Sequence, residues 1–412
     1  MTDRRLTYIA NARLPTEKAH GYQIVKMCEA FAQNKINVHL LHSFRHQPTP
    51  LKSQTVFDYY GVPCTFEVLT LPNLDIMLFE RFFPKIIFGG LFFIHAMLWG
   101  LYAALRVRND AADLYYTREI TVAYWLARFD LPTIFEAHAV PQQAHRMLLR
   151  QIASRPTLKL IVVLTSFIKE RFVRMGIPEN KIVVLGDSAD LSQFANLPSK
   201  QECRRLLGLP QDRPIIGYIG RFLTLGVEKG IPELVQALAD LPLINGEEPL
   251  LLCVGGPMDL VPSYLDLARF YGAPESRLRF VDRVPNREVP LWIRSFDIAV
   301  APFPKSEHYS YYMSPLKLFE YMAGGVPILT TDLPSIREVL KHRETAWLVQ
   351  PGNPADLAES IKHLINNSCL KNRLSSAACK AVSKHTWQQR ASTILKQVGV
   401  PNESAIFPVA FD

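Results

Sequence analysis

The sequence predicts an α/β chain built from two doubly wound parallel sheets. Three observations carry that expectation. Short β-branched and aliphatic runs alternate with helix-spaced apolar patterns along nearly the whole chain, as strands joined by crossover helices do. A polar, proline-containing stretch over 195–214 interrupts this alternation, which then begins again. The length of 412 residues, 48% hydrophobic and 20% charged, suffices for two cores.

In the first half, strands are expected at 6–9, 38–42, 66–69, 114–117, 133–136, 160–164 and 183–185. Between the first two, about 21–33, Ile24, Met27, Cys28 and Phe31 recur at helical spacing. After the break the strands are expected at 215–219, 250–254, 278–281, 298–301, 327–329 and 347–349. From about 354 to 398 the chain reads as helical with short breaks. The expected domains are 1–192 and 193–386, followed by a closing helix over 387–412.

Charge and cysteine usage narrow the function classes. Residues 1–190 carry 22 Lys and Arg against 16 Asp and Glu, so most of the net charge of +8 lies there. A basic half suits nucleic acid, anionic lipid or phosphorylated substrates. No Lys/Arg run or RNA-binding signature appears, so no nucleic-acid partner is expected. Cys28, Cys64, Cys203, Cys253, Cys369 and Cys379 are scattered, without CxxC or a Cys/His cluster. That predicts a reducing compartment and no metal site. The N-terminal residues lack the apolar core of a signal peptide, which predicts a cytoplasmic protein. One segment complicates this: the 20 residues from Ile86 to Leu105 contain no Asp, Glu, Lys or Arg, and Arg81, Lys85, Arg106 and Arg108 flank them. Length alone makes it a membrane-span candidate. Its place between strands of one sheet and its basic flanks on both sides favour a buried or interfacial helix over a span.

Open α/β sheets bind ligands at the carboxyl ends of their strands, and the strand ends here are informative. Ser314-Pro315-Leu316 opens a helix whose free N–H groups can seat an anion, with Lys317 adding charge and Glu320 offering two oxygens to paired sugar hydroxyls. Read blandly, the same stretch is an amphipathic helix with a proline start and a glycine stop. Gly220-Arg221 ends a strand and Lys229-Gly230 starts the next helix, so Arg221 and Lys229 can clamp a diphosphate. Gly21, after a polar loop, admits a ligand to a helix start or simply begins that helix. His138 directly follows a strand; Glu136, two residues earlier, lies inside the apolar run. Tyr309, Tyr311 and Tyr312 can stack on sugars, or form a packed loop. No Gly-x-Gly-x-x-Gly follows the first strand, and the Walker, nucleophile-elbow and His-Glu-x-x-His patterns are absent. No cofactor is expected.

Taken together these segments resemble a family 4 retaining glycosyltransferase of the GT-B fold, over nearly the full length. The matches run from Gly21 and His138 through Gly217-Tyr-Ile-Gly-Arg221, Lys229-Gly230 and Gly255-Gly256 to 315–327, 346–352 and Thr386-Trp387. The resemblance implies two Rossmann-like domains facing a cleft, with the last helix returning to the first domain. It implies transfer of a hexose, with retention and without a metal, from a UDP- or GDP-sugar to a lipid-linked, glycolipid or polysaccharide acceptor. Glu320 would hold the ribose hydroxyls, and Arg221 and Lys229 would neutralise the diphosphate. The backbone of Ser314, Pro315 and Leu316 would meet phosphate or sugar, with Gly21, Gly220, Gly255 and Lys317 completing the donor-binding set. His138 would touch the transferred sugar. The basic first domain and the apolar segment would bring the enzyme to an anionic membrane as a peripheral protein.

Two departures stand out. The family places a carboxylate eight residues before Glu320, where this chain has Tyr312; Glu307 is too far upstream by spacing to replace it. The gap from Arg221 to Lys229 is longer than usual. A GT-B sugar-nucleotide epimerase, an inactive sugar-nucleotide-binding protein and an integral membrane protein are the alternative readings.

Overall fold

The computed structural model describes residues 4–110, 112–224, 226–244 and 246–400, apart from the side chain of Pro50. Asp187–Thr386 forms one compact unit; the residues on either side of it together form the other. The boundary therefore lies between 186 and 187, against 192 in the sequence reading. The closing helix is Trp387–Gln397, and 401–412 lie outside the described residues.

In the first unit seven parallel strands run β1 (Arg5–Ala10), β2 (Asn37–Ser43), β3 (Glu67–Leu71), β4 (Leu114–Thr117), β5 (Thr133–Ala137), β6 (Leu158–Val163) and β7 (Ile182–Val184). Their spatial order is β3-β2-β1-β4-β5-β6-β7, so the winding reverses between β1 and β4. Reversal points are where such sheets open a crevice at the strand carboxyl ends. The inner strands β4 and β5 are buried along their whole length, whereas the edge strand β3 is largely exposed.

The second unit holds β8 (Ile215–Arg221), the short β9 (Leu223–Thr224) and β10 (Val227–Glu228), then β11 (Leu250–Gly256), β12 (Leu278–Val281), β13 (Ile298–Ala301), β14 (Ile328–Thr331) and β15 (Trp347–Val349). Its main sheet is parallel in the order β12-β11-β8-β13-β14-β15, reversing between β8 and β13. Alternation along β8 sends Ile215 and Ile219 into one core with Phe296 and Phe319, and Ile216 and Tyr218 into another with Leu234 and Val235. Between them, a Cβ on Gly217 would lie 2.1 Å from the Phe296 ring, so the sheet accepts no side chain there.

The helix Lys85–Val107, expected to be buried or interfacial, is buried over only part of its surface. Its C-terminal half packs, with Trp99, Ala103, Ala104 and Val107 in the core, and Gly100 lets the helix close on the Thr121 backbone. Its remaining face is bare: Ile86, Ile94, Leu98 and Leu105 are exposed, and Phe79, Phe82 and Phe83 just before it extend the same apolar surface. Only 22% of its most apolar 18-residue stretch is buried.

Candidate functional site

At the β8 end of the second unit the chain makes an excursion that sequence reading missed. β9 and β10 pair antiparallel, and the Lys229 N–H donates to Phe222 O at 2.9 Å. The extra residues between Arg221 and Lys229 are thereby folded away, and Lys229 returns to the strand end that Arg221 occupies. Gly220 has φ 121°, and a Cβ there would lie 3.2 Å from Lys317 Nζ. Its lack of a side chain makes room for that amine. Gly255 closes from the neighbouring strand, where a Cβ would lie 2.0 Å from Gly220 O.

The helix Leu316–Ala323 starts one residue later than expected, with Pro315 as its N-cap residue and no side-chain cap. Leu318 N–H donates to Pro315 O at 3.0 Å, and no side chain caps the rest of the first turn. The Ser314 hydroxyl is committed, accepting from Asp187 N–H at 2.7 Å. Lys317 corrects the picture of a ready positive charge. Its Nζ is buried without a hydrogen-bond partner among the described residues, 3.5 Å above the Tyr218 ring centre. Burial, reinforced by Lys229, holds its pKa well below the ordinary lysine range. Burial and then Arg221 lower Lys229 to about 8. Burial pushes Glu320 up to about 7 against the pull of Lys317. Lys317 and Glu320 favour each other's charge, but desolvation outweighs that attraction and drives both toward neutrality. An anion placed at this strand end would offset the desolvation of the two amines.

Just upstream, His308–Tyr312 forms a single π-helical turn. Tyr309 and Tyr312 are buried, so neither ring can stack on a sugar as expected; Tyr311 alone of the three is exposed, at 39%. Tyr309 stacks on Phe303, whose ring lies 5.7 Å from Lys317 Nζ, and the Ser335 hydroxyl donates to Tyr309 O. Tyr312 donates to Glu307 at 2.7 Å. The turn brings the side chains of residues 307 and 312 together although their spacing in sequence separates them.

In the first unit, His138 follows β5 and meets a network with no free ring nitrogen. Arg118 can only donate, so at 2.7 Å it fixes Nδ1 as an acceptor, leaving Nε2–H to donate to Glu136. Burial and Arg118 lower His138 to about 4, which keeps the ring neutral at physiological pH. The residue is an oriented neutral imidazole and not a titrating base. Burial would raise Glu136, but Arg390 first and His138 next outweigh it and hold the carboxyl well below its ordinary range. Arg390, on the helix Trp387–Gln397, donates to Glu136 at 3.1 Å, to Gly186 O at 3.0 Å and to Leu185 O at 3.3 Å. Tyr116 donates to the same carboxylate. Glu136 and Arg390 are 3% and 4% exposed.

Gly21 lies inside the helix Ala19–Gln33. A Cβ there would lie 2.1 Å from Tyr60 Oη, so packing against Tyr60 by itself requires this glycine. Beside it a cavity of about 560 Å³ opens at the carboxyl ends of β1, β2, β4 and β5. Arg13, Arg45, Arg118 and His138 line one part, and Met77 and Phe92 bring the bare apolar surface to another. Sequence reading missed Arg118 although it follows β4 as His138 follows β5. Arg390 carried no signal, being 254 residues from its partner.

Residues 213–367 match the model of the family described as glycosyl transferases group 1. A phosphatidyl-myo-inositol mannosyltransferase from Mycobacterium leprae is 27% identical over 51% of this chain and 53% of its own length. The chain spans about half to two thirds of the length of such curated relatives. Among solved structures, a glycosyltransferase from Rickettsia africae superposes with a TM-score of 0.71 at 16% identity, over 97% of this chain and 98% of that one. HepE from Anabaena, solved with UDP and glucose, gives 0.68 at 16% identity over 95% and 99%. Residues 213–367, within the second unit, thus match the glycosyl transferases group 1 model, and the fold of the chain is that of solved glycosyltransferases.

Proposed function

We propose that the protein is a retaining, metal-independent glycosyltransferase that moves a hexose from a UDP- or GDP-sugar to a lipid-linked or glycan acceptor at an anionic membrane surface. The observation that carries the donor reading is the set Arg221, Lys229 and Lys317 at the open end of β8, two of them amines whose charge burial disfavours. Such groups gain most from an anionic ligand. Departure of the nucleoside diphosphate limits glycosyl transfer, and Arg221, Lys229 and the uncapped helix start stabilise the charge it develops, each such group contributing about 3 kcal/mol. Glu320 accepts from the ribose hydroxyls once ionised. Backbone at Ser314, Pro315 and Leu316 borders the phosphates, with Gly220 and Gly255 keeping that approach clear.

The acceptor reading rests on the first unit. Its cavity combines arginines with Met77 and Phe92, which suits a polar head group joined to an apolar chain. The named mannosyltransferase relative supports a lipid-linked acceptor. Bare apolar side chains on the helix Lys85–Val107, with Arg81 and Lys85 at its start, suit the interface of an anionic bilayer. Thermal shift against UDP-, GDP- and ADP-sugars tests the donor: at least one must raise the melting temperature. Flotation with anionic liposomes at low salt tests the surface, and an unbound protein refutes that part. A product of inverted configuration by NMR refutes retention.

A further inference from the structure

We infer that Glu307, held by the Tyr312 hydroxyl across the π turn, is a specificity-determining acceptor for hydroxyls of the transferred hexose. The inference rests on the donor reading above and names the side chain that tells one sugar from another.

A π turn makes poorer backbone contacts than an α turn, and single π turns concentrate at functional sites. This one is fastened from outside: Ser335 donates to Tyr309 O at 2.7 Å, and Tyr309 stacks on Phe303. The energetically poor conformation is therefore held by its surroundings. Its geometric product is the alignment of residues 307 and 312, one π turn apart. Tyr312 is buried at 8% and places its hydroxyl 2.7 Å from Glu307 Oε1, while Glu307 itself is exposed. An exposed glutamate ordinarily samples many rotamers, and fixing it costs about 1.5–2 kcal/mol of entropy at each binding event. Here the rigid tyrosine has already fixed it. A preorientated carboxylate is a stronger and more selective acceptor for sugar hydroxyls than a wagging one.

Placement supplies the ligand. The turn lies beside the cationic strand end: His308 is lowered by burial and then by Lys229, and Phe303 links Tyr309 to Lys317. A hexose joined to a diphosphate seated on those amines sits one group further out. Glu320 and Glu307 stand on opposite sides of Lys317 in sequence, on the helix and on the turn before it, and can take the ribose and the hexose respectively.

Isothermal titration of the full chain with UDP-glucose and GDP-mannose, each against UDP and GDP, tests this. Glu307→Gln and Tyr312→Phe keep size and burial, and their melting temperatures should match the parent. Expected is a loss of about tenfold in affinity for whichever sugar nucleotide the parent binds, with the bare diphosphate unchanged. In the double variant the loss should be no greater than in Glu307→Gln alone, since Tyr312 acts through Glu307. Equal losses for sugar nucleotide and bare diphosphate, additive losses, or no loss overturn the inference. A parent that binds none of the four ligands overturns the donor reading itself, and is recognised before any variant is made.

Discussion

Replacing Arg390 with methionine strands a carboxylate that has no route to water. Glu136 and Arg390 are 3% and 4% exposed, and Arg390 is the first-named influence opposing the desolvation of that carboxyl. Removing one partner of a buried pair costs about 3–5 kcal/mol, because the remaining charge must stay unpaired or take a proton. For a unit of this size about 1 kcal/mol moves the melting temperature by ~2–4 °C, so a drop of roughly 10 °C follows. The pH dependence identifies the cause. Glu136 has a depressed pKa in the folded protein, so its contribution is present above the unfolded value and lost as pH falls through the folded one. The deficit of the variant should be full at pH 8 and shrink toward pH 5, as the stranded carboxyl protonates. Pairing Arg390→Met with Glu136→Gln should recover most of the loss at pH 8. Differential scanning calorimetry at both pH values reads these shifts. A deficit that ignores pH, or a double variant no better than the single, would refute the reasoning.

Three further outcomes are expected. Lys229→Ala should lose about a hundredfold in kcat with an unchanged melting temperature, read by steady-state kinetics on the donor that thermal shift identifies. Donor affinity should peak between about pH 7, where Glu320 becomes ionised, and about pH 8, where Lys229 starts to lose its proton; a flat profile by titration calorimetry would remove both groups from the donor site. Ile94→Asp and Leu98→Asp, both on the bare face of the helix Lys85–Val107, should each weaken flotation with anionic vesicles about tenfold and leave the melting temperature alone.

The strands of both main sheets were readable because buried parallel strands are short β-branched runs between polar turns, and nothing else in the chain looks like them. That Arg221 and Lys229 meet at one strand end was readable because one closes a strand and the other precedes the next helix. The hairpin of β9 and β10 was not, since two residues per strand make no pattern. The exposure of Ile94 and Leu98 was equally hidden, because an apolar residue reads the same facing a core or facing outward. The alignment of Glu307 with Tyr312 escaped because α-helical and extended spacing both separate positions five apart, and only a π turn unites them. Lys317 was read as a charge because sequence shows the amine and not its desolvation.

The return of the helix Trp387–Gln397 to the first unit sets an order on biogenesis. Glu136 leaves the ribosome 254 residues before Arg390, the partner that makes its burial tolerable. At ~5–20 residues per second the wait is roughly 10–50 seconds, during which all of Asp187–Thr386 is synthesised and free to fold. The nascent first unit spends that interval with a polar gap at β5 and with Met27 and Tyr22 lacking the surface that Arg390 and Trp387 later cover. The part of the chain made first is thus completed last, and a ribosome that stalls before Trp387 leaves a finished second unit tethered to an unfinished first.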